Sequence, residues 1–305
     1  MSVDLLCLGE AMIELNQRKA GGDYTQGFGG DTSNAAIAAR RQGLSSGYVS
    51  AVGTDAFGDM LMDLWKAEGV STETVARSGA PTGLYFVTHG KDGHRFTYRR
   101  AGSPASLMQP QDLPAEALSA CKALHFSAIS QAISASACDA TFTAVEIVKK
   151  AGGLISYDTN LRLSLWPLDR ARAVIHATVA LADILLPGLD DARMLTGLTD
   201  AAEIAAFYLA MGPKIVAVTL GGDGVLIATP ERMEHLPPHK MRLVDATGAG
   251  DAFDGAFLAE YLASGDAFQA ARHANAAAAL SVTGLGAVAP LPYRKDVLAF
   301  LQNNT

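Results

Sequence analysis

The chain has 305 residues, 49% hydrophobic and 18% charged, which is enough to bury a sizeable core. Its formal net charge of -7 and pI near 5.5 disfavour a nucleic-acid coat or an anionic membrane surface as partner. Cys7, Cys121 and Cys138 are widely spaced and odd in number, so they form neither a metal motif nor a disulfide framework and read as small buried hydrophobes. Met1 to Leu6 has no basic residue ahead of its apolar run, unlike a secretory signal. The longest uncharged stretch, Ala123 to Cys138, is too rich in serine to span a membrane. A cytoplasmic location is expected.

Short apolar runs alternate with segments of helical period, the pattern of an α/β fold. Val3–Leu8 is expected as the first buried strand, Asp31–Arg41 as a helix and Gly47–Val52 as a strand. A helix over Phe57–Glu68 should stop at Gly69. Leu84–Thr88 and Arg95–Arg99 flank a turn over His89–His94, and together they read as a hairpin. This hairpin breaks the alternation. With the Ile13–Phe28 region it is expected to form a small β lid, spanning 11–30 and 81–100.

Alternation then resumes, with strands expected at Ala123–Ser127, Leu154–Asp158, Ile184–Leu186 and Ile215–Leu220. Helices are expected at Ala135–Lys150, Ala171–Ala182, Asp190–Thr196 and Ala201–Met211. A second hairpin, Val225–Thr229 with Met233–Leu236, precedes two helices, Gly250–Leu262 and Ala267–Val282. No repeat, low-complexity tail or linker divides the chain, so one domain over 1–305 is expected.

The segment with most chemistry is Asp245-Ala-Thr-Gly-Ala-Gly-Asp251. Gly248, Ala249 and Gly250 fall where a strand should give way to a helix, so backbone N–H groups can point inward together beside a positive helix end. That suits an anion whose charge grows in a transition state, as in phosphoryl transfer. Asp251, in the first helical turn, can accept the proton of an attacking hydroxyl. No Walker G-x-x-x-x-G-K-[ST] run and no G-x-G-x-x-G run occurs.

The run Asp245–Phe253 resembles the C-terminal signature of the ribokinase-like (PfkB) carbohydrate kinases. Phe28-Gly-Gly-Asp-Thr-Ser-Asn34 resembles the companion N-terminal motif of that family, and the likeness runs from about Leu8 to Pro290. It implies a three-layer α/β/α sandwich with a mostly parallel central sheet and a small β lid. It also implies a sugar pocket at Gly30, Asp31 and Asn34, with a helix N-cap as the plain alternative for Asp31. ATP should meet Thr219, Gly221 and Gly224, with Asn275 near the adenine. Where the family has Asn-x-x-Glu for the Mg2+–phosphate network, this chain has Gly188-Leu-Asp-Asp191, so Asp191 alone keeps an acid. The family likeness allows a monovalent cation, K+, beside Asp245 and Thr247, and a homodimer joined through the lid.

Substrate choice rests on two segments. Thr82–Tyr85 with Tyr98-Arg99, and Asp158–Trp166, resemble the lid and strand-end motifs of 2-keto-3-deoxygluconate kinases within the family. A sugar acid wants a guanidinium fork, which Arg99 and Arg162 could supply from opposite walls. Tyr85 or Tyr98 could pack on the deoxy carbon and donate a phenol. ATP-dependent phosphorylation of 2-keto-3-deoxygluconate is therefore expected. A fructokinase or ribokinase is the rival enzyme, and a non-catalytic sugar-binding sensor the rival of another class.

Overall fold

The computed structural model describes residues 3–17, 19–90 and 93–303. Met1 and Ser2 of the N-terminal segment, Arg18, and the expected turn residues Lys91 and Asp92 lie outside the described residues. Thirteen strands occur among them in chain order: β1 Leu5–Leu8, β2 Met12–Gln17, β3 Tyr24–Gly29, β4 Ser46–Gly53, β5 Val75–Ser78, β6 Leu84–Gly90 and β7 Gly93–Arg99, then β8 Ala123–Ser127, β9 Leu154–Asp158, β10 Ile184–Leu185, β11 Ile215–Thr219, β12 Val225–Ala228 and β13 Met233–Leu236.

Nine of them form one sheet in the order β13-β12-β11-β10-β9-β8-β1-β4-β5, parallel except where β12 and β13 turn back on β11. Side chains alternate across this sheet, so β1 feeds two cores. Leu5 and Cys7 join the layer built on the helices Asp31–Arg41, Ala249–Ser264 and Ala267–Ser281. Leu6 and Leu8 join the other, built on Ala135–Lys150, Leu168–Val179, Leu189–Thr196 and Ala201–Met211. The result is the expected three-layer α/β/α sandwich. The remaining four strands form the small sheet β3-β2-β6-β7, outside the main one as expected.

The expected elements are present with shifted ends. The helix expected from Ala171 starts at Leu168, because Pro167 occupies the residue before its first turn. The helix expected from Gly250 begins at Ala249 and runs to Ser264, where left-handed Gly265 ends it. Strand β5, Val-Ala-Arg-Ser, was not anticipated; it is short and half-exposed at the sheet edge, with no alternating signal. Among the described residues no helix is long and apolar enough to cross a membrane, and the three cysteines are free and buried.

Strand order reverses at β1. The chain leaves β1 toward β4 and β5, then crosses to β8 on its other side and steps outward to β11. The carboxyl ends of β1 and β8 diverge at that switch, where open α/β sheets leave a crevice. Two helices enter beside it. Trp65 Nε1 donates to Ser33 Oγ at 2.9 Å in the core, tying Asp31–Arg41 to the helix Ala56–Glu68.

Helix Asp31–Arg41 also lies directly on Ala249–Ser264, and Gly255 makes that approach possible. A Cβ at Gly255 would sit 2.3 Å from Ala35 O, 2.6 Å from Ala38 Cβ and 2.7 Å from Ala39 N. Gly255→Ala must therefore push the helices apart. It should lower stability by about 1–3 kcal/mol, read from thermal or denaturant unfolding; a variant as stable as the parent would show that the two helices are free to separate.

Candidate active site

A cavity of about 770 Å³ opens at the switch point, between the carboxyl ends of the main-sheet strands and one face of the small sheet. Gly30, Asp31, Asn34, Tyr85, Tyr98, Arg162, Asp191, Thr219 and the run from Thr247 to Asp251 all line it. Residues separated by more than 200 positions meet here because two helix N-termini converge.

The first helical residue after the 245–248 turn is Ala249. Gly248 before it is left-handed (φ 77), and a Cβ there would lie 2.9 Å from Ala287 Cβ. Glycine is the residue this turn accepts. The Ala249 N–H is committed to Ala246 O at 3.2 Å. Gly250, with nothing within 4 Å of its missing side chain, leaves backbone open to the cavity. The backbone open to an anion at this helix end is thus that of Gly248 and Gly250 more than that of Ala249.

Asp251 is the third helical residue, half-buried at the cavity wall. Asn34 Nδ2 donates to its Oδ2 at 2.7 Å, across the helix crossing set by Gly255. Burial, then the charge of Asp31, pushes the Asp251 carboxyl up to about 7, against the pull of Asn34 and Arg162. A carboxyl with that value exchanges a proton near neutrality, as a general base requires.

Asp31 is not the N-cap of its helix; Gly30 holds that position, with no side-chain cap. The Asp31 carboxylate instead reaches across the crevice. Its Oδ2 accepts from the Ser127 hydroxyl at the end of β8 and from Asn160 Nδ2 at 2.8 Å. Asp158, at the end of β9, is pushed well above the usual carboxylate range by burial, despite the Asn160 N–H it accepts at 3.0 Å. Asp191 accepts the Leu161 N–H at 2.8 Å, so it also anchors the loop that presents Arg162.

The small sheet supplies the opposite wall. Tyr85 pairs with Tyr98 across β6 and β7, and both rings line the cavity, 5.7 Å apart. The Tyr85 phenol donates to Glu14 Oε2 at 2.6 Å, which leaves Tyr98 as the tyrosine with an open hydroxyl edge. Arg99 is misplaced by the sequence reading. It is exposed on the other face of β7, where its Nη1 donates to Tyr98 O at 3.2 Å. The two-residue period of the strand puts Phe96, Tyr98 and Arg100 on the cavity face instead. Arg100 is held there by Glu10, its Nε donating to Glu10 Oε2 at 2.7 Å and its Nη2 lying at 2.5 Å from that atom. Glu10 is 3% exposed and also accepts from the Ser103 hydroxyl. Reasoning from sequence missed Glu10, Arg100 and Asp254, which also lines the cavity. The phase of Tyr85 against Tyr98 was the signal that would have selected Arg100.

At the other end, Thr219 lines the cavity but Gly221, Gly224 and Asn275 do not. The two glycines belong to the turn from β11 to β12, beyond the cavity wall. Asn275 Nδ2 donates to Pro237 O at 2.9 Å, which directs its amide to the loop after β13. Asp245 Oδ1 accepts from the Thr247 N–H (2.9 Å) and hydroxyl (2.7 Å), and its Oδ2 from the Gly286 N–H (2.9 Å). It thereby fixes the 245–247 loop to the segment around Gly286.

Residues 3–294 match the pfkB family carbohydrate kinase pattern. The chain belongs to that family and is a sugar kinase. It is 33% identical to the 2-dehydro-3-deoxygluconokinase of Bacillus subtilis (strain 168) over 312 residues, covering 99% of this chain and 96% of that one. It is 34% identical to a probable fructokinase-4 of Arabidopsis thaliana over 287 residues, covering 90% and 88%. A solved E. coli protein in complex with ATP and Mg2+ superposes with a TM-score of 0.91 at 28% identity, covering 99% of this chain and all of that one.

Two outcomes follow from the geometry around Asp251. Asp251→Asn should bind sugar and ATP but lose about 10²–10⁴ in kcat; a full rate would remove Asp251 from the chemistry. Asn34→Ala removes a bond that favours the ionised form, so the carboxyl should rise further above 7. Activity gained on deprotonation must then appear at higher pH. A kcat–pH profile with an unmoved acid limb would show that Asn34 does not tune Asp251.

Proposed function

We propose that this kinase transfers the γ-phosphoryl group of ATP to the terminal primary hydroxyl of 2-keto-3-deoxygluconate, giving 2-keto-3-deoxy-6-phosphogluconate. The observation that carries this reading is that two guanidinium-bearing residues, Arg100 after β7 and Arg162 after β9, line the same cavity as Asp251. A neutral sugar needs hydroxyl partners alone, whereas a carboxylate is best met by guanidinium donors. Arg100 Nη1 remains for a ligand once Nε and Nη2 face Glu10.

In this reading the sugar hydroxyl lies against Asp251 and gives it its proton as the oxygen attacks the γ-phosphorus. The bond from that phosphorus to the bridging oxygen breaks, and ADP leaves with the electron pair. The backbone of Gly248 and Gly250 receives the charge that develops on the transferring group. Tyr98 packs against the sugar, with Gly30, Asp31 and Asn34 along its other edge. Thr219 belongs to the nucleotide side.

Mg2+ takes oxygen donors, and the cavity carboxylate of Asp191 is the one we assign to it; bound there the ion would neutralise phosphate charge. The all-oxygen set of Asp245 and Thr247 likewise suits a hard monovalent cation such as K+. The whole chain is read as one kinase domain, cytoplasmic, with three free thiols. The small sheet is read as the lid over the sugar and as the surface that joins two copies, where Tyr24 and Phe96 are 44% and 45% exposed.

A neutral ketose is the second reading, supported by a probable fructokinase relative at 34% identity. A panel of sugars and sugar acids with coupled ADP release separates the two, and no turnover on any of them would favour a sugar-binding sensor. Arg162→Ala and Arg100→Ala should each raise KM for the sugar acid about ten- to hundredfold and leave KM for fructose nearly unchanged. Fructose turned over as well as the acid, with no selective KM effect, would overturn the sugar-acid reading.

A further inference from the structure

Asp254 lies one helical turn beyond Asp251 on the same helix and lines the cavity. It is 3% exposed, and among the described residues it makes no hydrogen bond. The polar atom that faces it is His125 Nε2, from β8, at 3.7 Å, beyond hydrogen-bonding reach. His125 shares its Nδ1 with Ser156 Oγ on β9 at 3.0 Å. Burial pushes His125 down to about 4, so near neutral pH the ring is uncharged and offers Asp254 no counter-charge.

The other titratable groups around Asp254 are acids. Asp158 from β9, Asp251 from its own helix and Asp31 from the first helix all bear on it, and after burial their charges push its carboxyl well above the usual range. Cys7, from β1, is its remaining neighbour, with a thiol also pushed up by burial. Burial and these charges favour its protonated carboxyl, which has one O–H to donate and one carbonyl to accept. Its carboxyl opens on the cavity rather than being sealed in the core, so a ligand there can supply the hydrogen bond it lacks. Asp31, by contrast, already receives Ser127 and Asn160.

We propose that Asp254 reads the sugar, its carboxyl hydrogen-bonding the oxygen on the carbon next to the phosphoryl-accepting one. This rests on the reading of Asp251 as the base that meets the acceptor hydroxyl. Residues three apart on a helix present their side chains side by side, about 5–6 Å apart at Cβ. With a hydrogen bond at each end, that gap accommodates two oxygens on neighbouring carbons. In 2-keto-3-deoxygluconate these are the C6 hydroxyl at Asp251 and the C5 oxygen at Asp254. An O–H donor serves an open-chain hydroxyl or a ring oxygen alike.

The test compares the parent enzyme, Asp254→Leu and Asp254→Asn on 2-keto-3-deoxygluconate and on its 5-deoxy analogue. Leucine keeps the volume and removes both polar atoms; asparagine keeps one donor and one acceptor. Asp254→Leu should raise KM for the sugar acid about ten- to hundredfold with KM for ATP unmoved. The parent should lose a similar factor on the analogue, while Asp254→Leu should barely distinguish the two compounds, because both changes remove the same contact. Asp254→Asn should fall between. The proposal is overturned if the parent and Asp254→Leu lose the same factor on the analogue, or if KM for the sugar does not change. Should Asp254→Leu fail to fold, Asp254→Asn decides: its discrimination falls below the parent's, or the proposal fails. An Asp251→Asn enzyme at full rate sinks the base reading instead. If fructose is the substrate, a raised KM for fructose in Asp254→Leu supports the role and an unchanged one removes it.

Discussion

Everything at the site depends on how closely two helices can approach. Asp31–Arg41 and Ala249–Ser264 touch backbone to backbone at Gly255, and one turn further toward their N-termini that contact becomes the 2.7 Å bond from Asn34 to Asp251. Both helices begin with glycine, at Gly30 and Gly248, and both point their positive ends at the same space. Two helix ends distant in sequence are thus brought face to face by packing, before any side chain is chosen for chemistry.

The cavity so formed is crowded with acids. Asp31, Asp158, Asp191, Asp251 and Asp254 all line it, against Arg100 and Arg162. They do not sit in equal surroundings. Asp31 accepts from Ser127 and Asn160, burial pushes Asp158 and Asp254 well up, and burial with the charge of Asp31 brings Asp251 up to about 7. Separation of values among neighbouring acids is what lets one of them act as a base while others remain neutral donors. His125 is kept uncharged in spite of this crowding, because its burial outweighs the nearby Asp31.

Much of this was legible in the chain. The 3.6-residue and two-residue periods placed the main elements, and the two glycine-bearing motifs marked both helix entrances. The sheet switch at β1 and the meeting of Asn34 with Asp251 are non-local, so the motifs implied them without spacing that could show them. Arg99 was chosen over Arg100 because both sit in one dipeptide, and only the pairing of β7 with β6 fixes which side faces inward. Glu10 lies just past the expected first strand and carried no signal, yet it is the buried partner of Arg100. Gly221, Gly224 and Asn275 carried family likeness but lie outside the cavity wall, since a turn and a loop contact hold them elsewhere.

Glu10 follows β1 and Arg100 follows β7, so their ion pair clamps the strand that leaves the body to the strand that re-enters it. The small sheet is thus tied to the main one by a buried ion pair as well as by its connecting chain. A shift of one sheet against the other would strain that pair, so the carboxylate of Glu10 joins the positions of the two sheets.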